Sequence, residues 1–205
     1  MSSITQGLRS QLQGPPLKQL GTKLGLSPAQ AASAVAAAIP LLVGALGRNT
    51  REPQGAESLF NALQQDHQGL DLNSVLNAAL RGGGQGDQIL DHVFGDRRPV
   101  AAQGLGSATG LSQERAHALL RLLAPVAMAY IAKRMFERRS GASASAPVPP
   151  TPQILGDELG HEEVRITKQA GLGSGLLTAV LDRNQDGQID FSDLMGRRVQ
   201  NHRAS

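Results

Sequence analysis

The chain has no cysteine and no tryptophan, and only one tyrosine and four phenylalanines in 205 residues. Without thiols there can be no disulfide framework, thiolate zinc site, iron–sulfur cluster or cysteine nucleophile. So few aromatics argue against a β-sandwich or barrel, whose strands rely on them, and against stacking platforms for single-stranded nucleic acid. A strong charge of one sign is missing too: 20 Lys/Arg against 17 Asp/Glu leave +3, too little for a general polyanion binder. Residues 1–140 hold 14 basic against 9 acidic side chains, and residues 141–205 hold 6 against 8. The N-terminus shows no basic stretch leading into an apolar run, so no secretory signal is expected and the chain reads as cytoplasmic.

What is present is alanine, leucine and 24 glycines, the material of close-packed helices. Two segments align without gaps at an offset of 85, with matches at Leu20/Leu105, Gly21/Gly106, Gly25/Gly110, Leu26/Leu111, Ser27/Ser112, Ala31/Ala116 and Pro40/Pro125. This self-similarity reads as a duplicated helix, Gly-Leu-Ser, helix unit. Gly25 and Gly110 suit the left-handed residue that ends a helix, and Ser27 and Ser112 suit the next N-cap. Pro28 at the first helical position and Gln30 at the third add a capping box to the first copy. The second long helix places Ala116, Leu119, Leu120, Leu123, Val126, Ala127, Tyr130 and Ile131 at three- and four-residue steps, an amphipathic stripe. Pro40 and Pro125 are expected to kink or break their helices. A short helix is expected over 72–80. Gln88-Ile89-Leu90 with Gly95 also matches Gln153-Ile154-Leu155 with Gly160, a shortened relative of the same unit.

Residues 24–47 carry no charge and are long enough to span a bilayer. Eight alanines, two prolines and the amphipathic second copy favour a buried core helix instead. The glycine-rich stretch 82–86 reads as a linker between the copies, and the proline-rich stretch 140–152 as a tether.

The sharpest chemical signal is Asp182 to Asp193. Oxygen ligands stand at loop positions 1, 3 and 5 (Asp182, Asn184, Asp186), with Gly187 at the turn. Gln188 offers its backbone carbonyl at position 7, Ile189 is the apolar anchor, Asp190 stands at position 9 and Asp193 closes the loop. A hard Ca²⁺ ion needs six to eight oxygens, which alternating carboxylates supply from one short segment. The pattern resembles the EF-hand loop, except that Asp193 replaces the usual bidentate Glu, as in dockerin-type repeats. A Kd of roughly 10⁻⁵ to 10⁻³ M follows, with Mg²⁺ as a competitor. No second loop is present to pair with it.

Other constellations carry less. The five histidines lack ligand spacing, and His117 reads as a surface helix residue. Gly104 to Gly110 only approximates a dinucleotide fingerprint. Asp157-Glu158 and Glu162-Glu163 read as a solvated acidic helix face. Lys133, Arg134, Arg138 and Arg139 close a long helix, where cations are favoured. The alternative for them is contact with anionic lipid or nucleic acid.

Gln88-Ile89-Leu90-Asp91-His92-Val93-Phe94-Gly95, followed by Thr109-Gly110-Leu111-Ser112 and the helix through Leu122-Leu123-Ala124-Pro125, resembles an uncharacterised bacterial family, a domain of unknown function with the YidB-like proteins as relatives. Leu176 to Gly187 is similar to the Asp-x-Asn-x-Asp-Gly ending of its members. The resemblance implies a helical fold and no catalytic residues. The whole reads as an all-α protein with a repeated helical domain over 1–139, the tether 140–152 and a helix–loop–helix calcium module over 153–205. The expected function is non-enzymatic calcium binding, structural or in interaction with a protein partner or a second copy. One alternative is a membrane-surface or nucleic-acid role through the basic end 133–139. The other is an enzyme with its site between the repeats.

Overall fold

A computed structural model describes residues 3–66, 70–83, 85–137 and 149–168. Among them every regular element is helical: α1 (Ile4–Gln11), α2 (Pro15–Leu24), α3 (Pro28–Asn49), α4 (Pro53–Asp66), α5 (Leu72–Leu80), α6 (Gly86–Phe94), a 3₁₀ turn (Gly95–Arg97), α7 (Arg98–Thr109), α8 (Gln113–Glu137) and α9 (Pro152–Lys168). The two longest, α3 and α8, pack on each other at the centre. α1, α2, α6, α7 and α9 lie on α3, and α4, α5, α6 and α7 lie on α8. One apolar cluster runs from Ile4 to Ile166.

Both Gly-Leu-Ser segments form the expected joint. Gly25 (φ +64°) and Gly110 (φ +71°) adopt the left-handed conformation. The Leu26 amide donates to the Gly21 carbonyl at 2.8 Å, and the Leu111 amide to the Gly106 carbonyl at 3.0 Å. These are the wrap-around bonds that end a helix on a glycine. The following serines accept from the amides of Gln30 (3.3 Å) and Arg115 (3.4 Å), and the Gln30 Oε1 in turn accepts from the Ser27 amide at 3.1 Å. Gly25→Ala or Gly110→Ala is expected to cost about 1 kcal/mol, since an L-residue is strained there, read from urea unfolding midpoints. An unchanged midpoint would show that the joint is not under this constraint. α5 is likewise capped, by Asp71 accepting from the Ser74 amide at 3.0 Å.

Four expectations differ from the structure. Neither proline breaks its helix: α3 runs through Pro40 and α8 through Pro125. Pro40 and Ala36, whose carbonyl loses its donor, are both half-buried in an otherwise buried stretch, so the lost bond falls toward the wetter side. The amphipathic reading of α8 holds only for its first turns, because residues 122–129 are buried all round. Gly86 is no linker residue; it opens α6 and is buried against α8, where an added methyl would overlap the Arg121 carbonyl oxygen. Residues 153–168 do not begin a separate module. They form α9, whose Leu155 and Leu159 are fully buried in the common core, and α9 passes through Gly160 without the turn seen at Gly95.

α3 and the segment Gln113–Phe136 of α8 are each long and apolar enough to cross a membrane by length and composition. In the structure they form the buried centre of the bundle, with 67% and 72% of their apolar windows covered.

Candidate functional site

The six expected calcium ligands, Asp182, Asn184, Asp186, Gln188, Asp190 and Asp193, lie outside the described residues. Among the described residues, no group of three or more His, Asp or Glu is arranged to hold a metal ion.

Two clefts open on the bundle. One, of about 610 Å³, lies where the C-terminal half of α3 (Leu46, Asn49) meets α4 (Leu59), α6 (Ile89, His92, Val93) and Met128 of α8. It is the place where an enzyme site between the Pro40 and Pro125 helices would sit. Two of its polar side chains, Asn49 and His92, bond to backbone carbonyls. The Asn49 side-chain amide donates to the His92 and Val93 carbonyls at 3.1 and 3.3 Å, and the His92 ring meets the Gln88 carbonyl at 3.0 Å.

The second cleft, of about 880 Å³, is lined by charged groups including Asp91, Asp96, Arg98, Glu114 and His117. Beside it Asp87 is a hub, 3.5 Å from Arg121, 3.8 Å from Arg98 and 3.9 Å from His117, and Arg98 also reaches Asp91 at 3.1 Å. These carboxylates are more than half exposed, so each pair is worth about 1 kcal/mol or less. His117 sits on the surface of α8, as read from the sequence.

The basic end of α8 is only partly available to an anionic surface. Arg134 points to Glu158 of α9 at 3.6 Å, and Met135 and Phe136 are buried, the latter with its ring tilted at 57° to that of Phe60, 5.7 Å away. Arg138 and Arg139 lie outside the described residues.

The acidic pairs of α9 are not the solvated face expected. Glu162 and Glu163 are only 5% and 4% exposed. Glu163 takes both a 2.7 Å and a 3.2 Å bond from the Arg51 guanidinium. Glu162 accepts the Thr5 backbone N–H at 3.0 Å, at the positive end of α1, and also meets Arg165 at 3.7 Å. Burial pushes the Glu163 carboxyl above its ordinary value, against the opposing pull of Arg51 and Arg48. Local sequence holds no sign of this arrangement, because the partners stand 112 and 157 residues away.

A helical bundle joined by Gly-Leu-Ser turns is thus what residues 4–137 build. The model of the family described as bacterial protein of unknown function (DUF937) matches residues 6–134. The chain belongs to this family. No curated protein and no solved structure matches it. α1 to α8 make up nearly all of the family segment, while α9 and residues 182–193 lie beyond it.

Proposed function

We propose that this member of the family is a non-enzymatic calcium-binding protein, in which an ion held by 182–193 acts structurally or in association with a partner. One observation carries the reading: oxygen donors at positions 1, 3, 5, 7, 9 and 12 around a glycine at position 6, the spacing that a seven-coordinate Ca²⁺ ion requires. The matching caps at Gly25–Ser27 and Gly110–Ser112 support the duplication, and a relation to the YidB-like proteins belongs with the same reading. Calorimetry on the full chain should show Ca²⁺ binding with a Kd of roughly 10⁻⁵ to 10⁻³ M, abolished in D182A/D186A. Absence of binding heat at millimolar Ca²⁺ would sink it. Because four carboxylates crowd the loop, the ion should also raise the melting temperature in proportion to its occupancy.

A further inference from the structure

α9 lies outside the matched family segment, yet everything it docks on lies within residues 4–137. The floor of that socket is a saddle of small residues at the junction of α3 and α4. A methyl added at Gly47 would stand 2.7 Å from the Leu159 carbonyl oxygen, and one added at Gly156 would stand 3.9 Å from the β-carbons of Thr50 and Ala56. Helix backbones therefore approach each other directly. Around the saddle stand three donors from three different places: Arg51 for Glu163, the Thr5 N–H of α1 for Glu162, and Arg134 of α8 for Glu158. Every acceptor is on α9. Leu155, Leu159 and Ile166 fill the apolar part. This is a fixed receptor for one acidic helix, and the helix with that spacing belongs to the chain itself.

The segment 138–151 connects the end of α8 to α9. Fully extended, a stretch of that length spans roughly 45–50 Å, enough to reach the socket of a neighbouring molecule. We infer that the socket accepts the α9 of a second copy as well as the chain's own, so that two chains exchange α9 helices in a two-fold dimer. Exchange makes and breaks no contact, since each socket receives an identical helix. A short tether gives cis docking an effective concentration in the millimolar range, so the exchanged form is populated when cis docking is weakened in both partners. The inference does not depend on calcium binding.

Charge reversal tests it. R51E and E163R each set like charges across the socket in cis, and the double variant R51E/E163R restores an opposite pair. Each single variant should melt about 10 °C below the double variant. Mixed one to one, the two single variants should form a heterodimer by light scattering, in which both sockets meet an opposite charge, and recover most of that loss. The chain's lack of cysteine permits a second readout, T50C/G156C, whose β-carbons would stand at disulfide distance. Oxidation of this pair in the mixture should give intermolecular bridges. A mixture that stays monomeric and melts as the superposition of its parts overturns the inference, as does a dimer containing only intramolecular bridges. Should the double variant fail to fold, T50C/G156C in the otherwise native chain, refolded and oxidised at protein concentrations up to and above the millimolar effective concentration of cis docking, decides alone. Intermolecular bridges support exchange, and intramolecular bridges at every concentration overturn it.

Discussion

Gly86→Ala is expected to destabilise the chain by about 3 kcal/mol, the upper part of the range for overpacking, and to lower Tm by roughly 6–12 °C for a chain of this length. The reason joins two features that look unrelated in the sequence. Pro125 has no N–H, so the Arg121 carbonyl one turn earlier in α8 loses its intrahelical donor. Gly86, the first residue of α6, is packed against that same carbonyl, with the Arg121 side chain close beside it. The start of a helix is electropositive, so the freed oxygen faces the positive end of α6 across a gap that only a hydrogen-bearing Cα fits. An alanine methyl meets backbone there, which cannot swing aside as a side-chain tip would. Gly160→Ala is the control. It lies inside α9 with no neighbour within 4 Å of an added methyl, and it should stabilise by about 0.5–1 kcal/mol through helix propensity. Thermal melts of both variants check the pair. A Gly86→Ala protein within about 0.5 kcal/mol of the parent, against this range, would show that the α6–α8 contact relaxes.

The contrast between those glycines also marks what sequence can reveal. Gly25, Gly110, Ser27 and Ser112 were legible because a cap is satisfied within four or five residues of itself, and the pattern contains both partners. The core stripe at the start of α8 was legible because helical period is local. Gly86 sits in a run of glycines and looks like its neighbours, although Gly82 is exposed and left-handed while Gly86 is buried in a helix. Only a contact 35 residues away separates them. Pro40 and Pro125 mislead for a similar reason. The local cost of proline is real, but burial of residues such as Leu41, Leu42, Leu123 and Val126 exceeds it. Glu162 and Glu163 carry the same lesson with charge. On helical periodicity alone, adjacent carboxylates belong in water; what buries them is a guanidinium from the end of α3 and an amide from the start of α1. The proposed calcium ligands are the reverse case, since all of them stand in one short stretch of sequence.

Arg51→Ala is expected to cost about 2 kcal/mol at neutral pH, because it leaves the buried Glu163 carboxylate without its bidentate partner, a cost discounted for an Arg51 side chain that is 46% exposed. The deficit should shrink toward acid, as for any carboxylate–guanidinium pair, whereas the net contribution of the Glu163 carboxyl itself runs the other way. In the native chain burial already lifts the Glu163 carboxyl above its usual 4.5. A group whose folded value is raised binds its proton more tightly folded than unfolded. Its contribution is therefore present in full below the unfolded value and is lost as pH climbs through the folded one. Docking of α9 is accordingly favoured in mild acid, and at neutral pH Arg51 recovers part of what ionisation takes away. Removing Arg51 takes away that recovery and raises the carboxyl further. The Arg51→Ala deficit should then be large at pH 7.5 and shrink toward pH 4.5 as Glu163 takes up its proton. Glu163→Gln, which cannot ionise, should show little of this slope. Hydrogen exchange of α9 amides across that range, with the two variants in parallel, reads the effect at the helix concerned. An Arg51→Ala deficit of equal size at both ends of the range would show that the guanidinium acts by packing its apolar stem and not by charge. A deficit growing toward acid would show that Arg51 does not favour the ionised form of Glu163.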